Sequence, residues 1–134
     1  MLNEELRKKI NEDEGYETSL FYTDQSYDNS VIGVDVNGKI VYDFNKMIEE
    51  FIDENYPPEV IVEEQKKDPN FDEVTAAIEW IEYNTIRATP YGTSWGIPPV
   101  IIDEDHETEE DRKYINLITG EPYYYEDIVY KVTD

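Results

Sequence analysis

FDEVTAAIEWIEYNTIRATPY, residues 71–91, is the longest amphipathic stretch in the chain. At about 100° per residue, Phe71, Val74, Ala77, Ile78, Ile81 and Ile86 fall on one half of a helix. Val74, Ile78, Ile81 and Thr85 sit near the middle of that stripe. The opposite side is not plainly polar, because Ala76, Trp80, Tyr83 and Arg87 line up at i, i+4, i+7 and i+11. Asp72, Glu73 and Glu79 occupy the flanks, with Glu82 at the edge of the apolar stripe. Asp68-Pro69 offers a cap and a first-turn proline, Asn70 a second cap, and Pro90 a stop. A helix with two sides to cover needs partners on both, so the remaining elements are expected to pack around it.

Upstream, Val31–Val36 and Lys39–Phe44 flank Asn37-Gly38. Asn-Gly between β-branched runs predicts a hairpin, because a type I′ turn needs positive φ at both central residues. Gly33 inside the first strand suggests a bulge or a close neighbour. A second helix follows over 45–55, with Phe44, Met47, Ile48, Phe51 and Ile52 as its core stripe and Glu49, Glu50, Asp53 and Glu54 on the other side. Asp43 or Asn45 can cap it, and Tyr56-Pro57-Pro58 reads as its stop. Val60–Glu63 fits a short strand or a helical turn, and Gln65–Asn70 reads as a polar connection. Leu2, Leu6 and Ile10 predict a short N-terminal helix over 2–12; Ser19–Thr23 reads as a strand and Asp24–Ser30 as a loop.

Downstream, Tyr91-Gly92-Thr93-Ser94-Trp95-Gly96 is an aromatic-glycine loop. Ile97–Ile102 reads as an extended edge segment, since Pro98 and Pro99 cannot donate to a ladder. Lys113–Thr119 and Tyr123–Val132 read as two antiparallel strands around Gly120-Glu121-Pro122. Strands and helices without a βαβ rhythm predict an α+β fold: a small antiparallel sheet on two amphipathic helices, plus the short N-terminal helix, in one domain over 1–134.

The chain carries 33 Asp and Glu against 11 Lys and Arg, a formal net charge of -22. Such a charge repels itself and excludes binding to nucleic acid through phosphates, which requires basic side chains. Its natural counterparts are basic surfaces. The 12 tyrosines and 2 tryptophans are residue types favoured at interfaces. There is no cysteine, so neither a disulfide framework nor a thiolate metal site is available. No apolar run approaches a membrane span, and a soluble, cytoplasmic protein is expected.

Three segments, IGVDVNGKIVYDFNKMIEE (32–50), AIEWIEYNTIRATPY (77–91) and PPVII (98–102), together resemble a family of short proteins from bacteria, their phages and mobile elements. That family pairs a strand–turn–strand ending in VYDY with an acidic helix, then IEYNTIRALPY and a short P-I-I-M-like segment. The likeness spans 31–102; Thr89 stands where the family has Leu, and 1–30 and 103–134 lie beyond it. The resemblance implies a fold and a mobile-element setting, not a mechanism.

No residue set points to catalysis. His106 lies among carboxylates, where the ordinary reading is a solvated side chain and the alternative a general base. No serine sits in a G-x-S-x-G elbow and no glycine loop cradles phosphate. Asp103, Asp105, Glu107, Glu109 and Asp111 alternate like calcium-loop ligands. Thr108 replaces the needed glycine and Tyr114 the closing glutamate, so this is not an EF-hand. Neither a metal site nor a cofactor is expected. Glu82, Tyr83, Asn84 and Arg87 form either a polar site or a structural set in which Arg87 pairs with a carboxylate near the helix C-terminus.

The reading that remains is a non-enzymatic acidic inhibitor that mimics nucleic acid. In size, charge and setting it resembles anti-CRISPR and anti-restriction proteins, with a basic nucleic-acid-binding protein, a CRISPR effector or restriction enzyme, as partner. The expected contacts are Glu49, Glu50, Asp53 and Glu54 on the second helix, and Asp103, Glu104, Asp105, Glu107, Glu109, Glu110 and Asp111 in a stretch of seven acids without a base. Trp80, Trp95, Tyr123, Tyr124 and Tyr125 are the expected apolar anchors. The alternative is a protein–protein adaptor that binds through an aromatic patch.

Overall fold

The structure is a computed structural model that describes residues 3–13, 15, 21–22, 25–87, 97–104 and 113–132. Among the described residues six strands form one sheet: β1 (Val31–Asp35), β2 (Ile40–Asp43), β3 (Val100–Glu104), β4 (Lys113–Asn116), β5 (Pro122–Tyr124) and β6 (Ile128–Lys131). Their order is β5-β4-β3-β2-β1-β6. Only β2 and β3 run parallel, and the other neighbours are antiparallel. A parallel pair needs a long crossover. Here it carries three helices: α2 (Phe44–Asn55), α3 (Pro58–Lys67) and α4 (Glu73–Ile81). A further helix, α1 (Asn3–Lys8), begins the described chain. The fold is α+β, with a larger sheet and one more helix in the crossover than the sequence leads one to expect.

Strand alternation divides the apolar residues between two cores. Val34, Ile40, Tyr42 and Ile101 join Phe44, Met47, Ile48 and Phe51 of α2, and Ala77 and Ile81 of α4. Val41, Val100 and Ile102 point the other way and meet Tyr123 and Ile128, with Ile32, Tyr114 and Tyr125 around them. A sheet covered on both faces explains the unbroken runs IVY and VII, which lack the in–out alternation of a half-solvated strand.

The second core exists because the sheet curls. β5 and β6 are its two edges, yet only Tyr125–Asp127 separates them in the chain. Six flat strands would set the edges ~24 Å apart at about 4.8 Å per strand. The short link spans at most ~14 Å. The sheet therefore rolls towards a barrel, and cross-connections hold the roll. The Val36 amide donates to the Asp127 carbonyl at 2.8 Å, and the Tyr123 hydroxyl donates to Asp35 Oδ2 at 3.0 Å. Gly33 lies against β6, where a Cβ would sit 2.1 Å from the Tyr130 carbonyl oxygen. The β1–β2 register shifts between Val31 and Gly33, so this glycine serves both a bulge and a close approach.

The first hairpin turns where Asn37-Gly38 predicts, but with a wider loop. Gly38 N–H donates to the Asp35 carbonyl and Asp35 N–H to the Lys39 carbonyl, both at 2.9 Å. That pattern is a three-residue loop, Val36-Asn37-Gly38, with Gly38 at φ +78°. Asp35 is the reason: Oδ1 accepts the amides of Asn37 and Lys39, both at 2.9 Å, and so organises the loop from within.

Other expectations need correction. Pro98-Pro99 precedes a strand that is interior, since β3 pairs with β2 on one side and β4 on the other. The second strand of the C-terminal pair is two strands, split by a 3-10 turn at Tyr125–Asp127. Tyr56-Pro57-Pro58 does stop α2, which ends at Asn55 with Tyr56 as its C-cap, but Pro58 also opens α3, because a first-turn proline lacks only an N–H that would go unbonded anyway. Helix α3 extends through Lys67, into the segment that reads as a connection, and buries none of its residues.

Helix α4 is shorter than its periodicity suggests. Asp72 caps it, accepting from the Val74 and Thr75 amides at 3.4 Å and from Thr75 Oγ1 at 2.7 Å. The Thr75 hydroxyl bond holds the Asp72 carboxyl below its ordinary range. Asp68 instead terminates α3, and Asn70 is not the cap. After Ile81 the chain widens into a π-helical turn, Glu82–Ile86. Ala77 and Ile81 are fully buried while Ile78 is only half-buried and Val74 is exposed, so the core stripe is narrower than expected.

At the N-terminus, α1 continues into a π-helical turn, Lys9–Asp13, and buries Leu6 and Ile10. Gln25–Ser30, expected as a loop, is a 3-10 helix with Tyr27, Asp28 and Ser30 buried. Phe21 and Tyr22, expected in a strand, belong to no strand. The remainder of that segment, like the loop at 91–96, lies outside the described residues. Arg7 ties these pieces together. Its Nε and Nη2 donate to the two oxygens of buried Asp28, each at 2.8 Å, and Nη2 also donates to the Tyr22 carbonyl. This pairing raises the Arg7 pKa above its ordinary value. The Tyr22 amide donates to the Tyr42 hydroxyl at 2.9 Å, fixing Tyr22 to β2.

Candidate protein-binding surface

The crossover helices expose the acidic face. On α2, Asp43 accepts from the Asn45 and Lys46 amides, which sets the helix phase. With Phe44, Met47, Ile48 and Phe51 inward, Glu49, Asp53 and Glu54 face solvent and Glu50 is half-buried. Glu50 accepts a 3.4 Å hydrogen bond from Asn29. From Asp43 to Glu82 there are 13 acids and 3 bases, so few of these carboxylates can be neutralised locally. The ion pairs found there are Lys66–Glu63 at 3.1 Å and Lys67–Glu64 at 3.9 Å, both on α3 and both exposed. Solvated pairs of this kind contribute little to stability. Among the described residues, Glu49, Asp53, Glu54, Glu79 and Glu82 have no cation within ion-pairing distance.

An aromatic surface lies beside these acids. Trp80 is 54% exposed, and its ring centroid sits 5.9 Å from that of Phe51, so α4 displays an indole braced on α2. Tyr83 is 69% exposed. The π-helical turn places Arg87 over the Tyr83 ring, 5.7 Å from its centroid. Arg87 therefore stacks; the expected carboxylate pairing is not found among the described residues. Asn84 Nδ2 donates to the Trp80 carbonyl at 3.2 Å.

The sheet end contributes less than expected. Tyr123 is 8% exposed and its hydroxyl is engaged by Asp35, so it is a core residue, not an anchor. Burial, with Asp35 beside it, pushes the Tyr123 hydroxyl pKa well up. Tyr124 points outward at 50% exposure, as strand alternation requires of its neighbour. Tyr125 is half-buried, 6.3 Å from Tyr114, with Lys131 Nζ 4.5 Å from its ring centroid. Asp103 is half-buried and Glu104 exposed at the end of β3. Trp95, Asp105, Glu107, Glu109, Glu110 and Asp111 lie outside the described residues, as does His106.

The structure thus brings Glu49, Glu50, Asp53, Glu54 and Trp80 into one layer of helices, and sets Asp103, Glu104 and Tyr124 at the strand ends. Tyr83, which the sequence offers only as part of a polar site, is the most exposed ring of the layer. Among the described residues, no group of three or more His, Asp or Glu side chains could hold a metal ion. No helix there is long and apolar enough to cross a membrane. No family model, curated protein or solved structure matches the chain.

Proposed function

We propose that this protein is an acidic inhibitor that occupies the cationic nucleic-acid-binding surface of a partner, in the manner of anti-CRISPR and anti-restriction proteins. The observation that carries this reading is the carboxylate face of α2, α4 and the turn after α4, which no cation pairs among the described residues. Glu49, Asp53, Glu54, Glu79 and Glu82 lie exposed on packed helices, held in place by Phe51, Ala77 and Ile81 beneath them. A flexible acidic tail would have the charge without the fixed spacing. Duplex DNA presents one charge per ~1.7 Å of axis, and a rigid row of carboxylates competes for the same lysines and arginines. The mobile-element setting implied by the resemblance of residues 31–102 is consistent with an inhibitor of a host defence nuclease. Charge complementarity of this kind speeds association and sets specificity.

The test is displacement. The immobilised chain captures partners from a host lysate at low salt, and captured proteins are then challenged with DNA, RNA and NaCl. Release by nucleic acid and by about 0.5 M NaCl supports mimicry. Capture that neither nucleic acid nor salt disturbs favours the adaptor. The exposed rings of Trp80, Tyr83 and Tyr124 give that second reading its specific support.

A further inference from the structure

The exposed aromatic face of α4 narrows the partner's chemistry. Trp80 and Tyr83 are solvent-facing in a chain whose charge of -22 rules out a second copy as an easy occupant. A cationic partner is left, and lysine and arginine meet this face differently. Lysine is a compact, strongly hydrated point charge. Arginine is planar and weakly hydrated, so it can lie flat on a ring while its edge forks a carboxylate. The chain itself displays the first half of that arrangement. Arg87, in a molecule with 33 carboxylate side chains, lies over Tyr83 with no carboxylate in ion-pairing reach among the described residues. Trp80, the better cation–π ring, carries no such cation among the described residues and directly follows Glu79 in sequence. Glu73 precedes it by seven residues, about two turns, and so shares its side of the helix.

We propose that the Trp80–Tyr83 face takes arginine side chains, so that the partner's complementary surface is arginine-rich and not lysine-rich. This rests on the reading of the acidic face as the binding surface. The guanidinium groups stack on the indole ring and on the side of the phenol ring away from Arg87, and pair at their edges with Glu73 and Glu79.

The experiment uses the full chain with fluorescein-labelled decaarginine and decalysine, followed by anisotropy at about 0.15 M NaCl. The wild type binds decaarginine about 5-fold or more tighter than decalysine. Trp80→Leu/Tyr83→Leu, in which leucine keeps an apolar contact with Phe51, loses about 5-fold in decaarginine affinity and less than about 2-fold in decalysine affinity. Trp80→Phe/Tyr83→Phe keeps the rings and retains the preference. Equal losses for the two peptides, or an unchanged decaarginine affinity in the leucine variant, overturn the proposal. If the double variant unfolds, Tyr83→Leu alone, at a residue too exposed to threaten the fold, repeats the comparison with about half the effect. The peptides involve no nucleic-acid-binding protein, so this outcome is separate from that of the displacement test.

Discussion

The carboxylates inside the molecule and those on its helical layer behave as two different materials. Asp28 and Asp35 are buried, and the contacts they make hold the fold together. Asp28 receives a two-pronged bond from Arg7. Asp35 receives two loop amides and the Tyr123 hydroxyl. Glu49, Asp53, Glu54, Glu79 and Glu82 are exposed, and no cation pairs with them among the described residues. A net charge cannot reveal this division. In the interior an acid stabilises the fold because donors replace its lost water. At these exposed positions it has no cationic partner among the described residues and adds to self-repulsion. Acids that oppose folding need another reason to be there, and that contrast supports assigning them to a partner.

The contrast breaks first at Arg7. Arg7→Met leaves the buried Asp28 carboxyl without its partner, and should cost about 3–5 kcal/mol by chemical denaturation. A loss below about 1 kcal/mol would mean that buried and exposed acids do not differ as described.

The next effect separates the buried from the half-buried positions of α4. Ile81→Ala removes a fully buried side chain from the core that α4 shares with α2 and should cost about 2–5 kcal/mol. Ile78→Ala, at a half-buried position, should cost clearly less. Equal costs would restore the wider stripe that periodicity suggests.

A pH titration sharpens the picture of the buried hydroxyls. Burial pushes the Tyr42 pKa well above its ordinary value of 10.0. The folded state therefore favours the neutral hydroxyl. Its contribution is intact below the unfolded value and declines as pH rises beyond it, by about 1.4 kcal/mol per pH unit. Denaturant unfolding between about pH 9 and 11 should show a decline that is shallower in Tyr42→Phe. Parallel profiles for the two proteins would contradict this placement of Tyr42.

A gentler perturbation is salt. Raising NaCl from about 10 mM to 0.5 M shrinks the screening length from ~30 Å to a few Å, so the melting temperature should rise as the helical layer's repulsion is relieved. A flat response would point to carboxylates already neutralised by bound cations.

Much of the fold is legible locally. Asn37-Gly38 marks the first hairpin, Gly33 its close approach to a neighbour, and Asp43 the start of α2, because each depends on residues a few positions apart. The loop's extra residue is also within reach, since Asp35 and Gly38 occupy the preferred first and fourth positions of a type I turn. What escapes such reading is non-local. Nothing in Tyr125-Glu126-Asp127 announces that the chain there passes from one sheet edge to the other. The roll follows from β6 pairing with β1, about a hundred residues earlier in the chain. That same roll buries Tyr123, so three consecutive tyrosines cannot be sorted as anchors without it. On α2 the acidic strip follows directly from the helical period; Trp80's support comes from Phe51, a contact between elements.

The measurement closest to the central claim neutralises the exposed strip alone. In Glu49→Gln/Glu50→Gln/Asp53→Asn/Glu54→Gln, the fold loses four charges and, among the described residues, no ion pair, while Glu50→Gln keeps an acceptor for Asn29. Stability should hold within about 0.5 kcal/mol or rise slightly. Affinity for the captured partner, read by nucleic-acid displacement, should fall by about 10-fold or more. A variant that melts well below the wild type, or one that binds its partner undiminished, would contradict the assignment of these acids to binding.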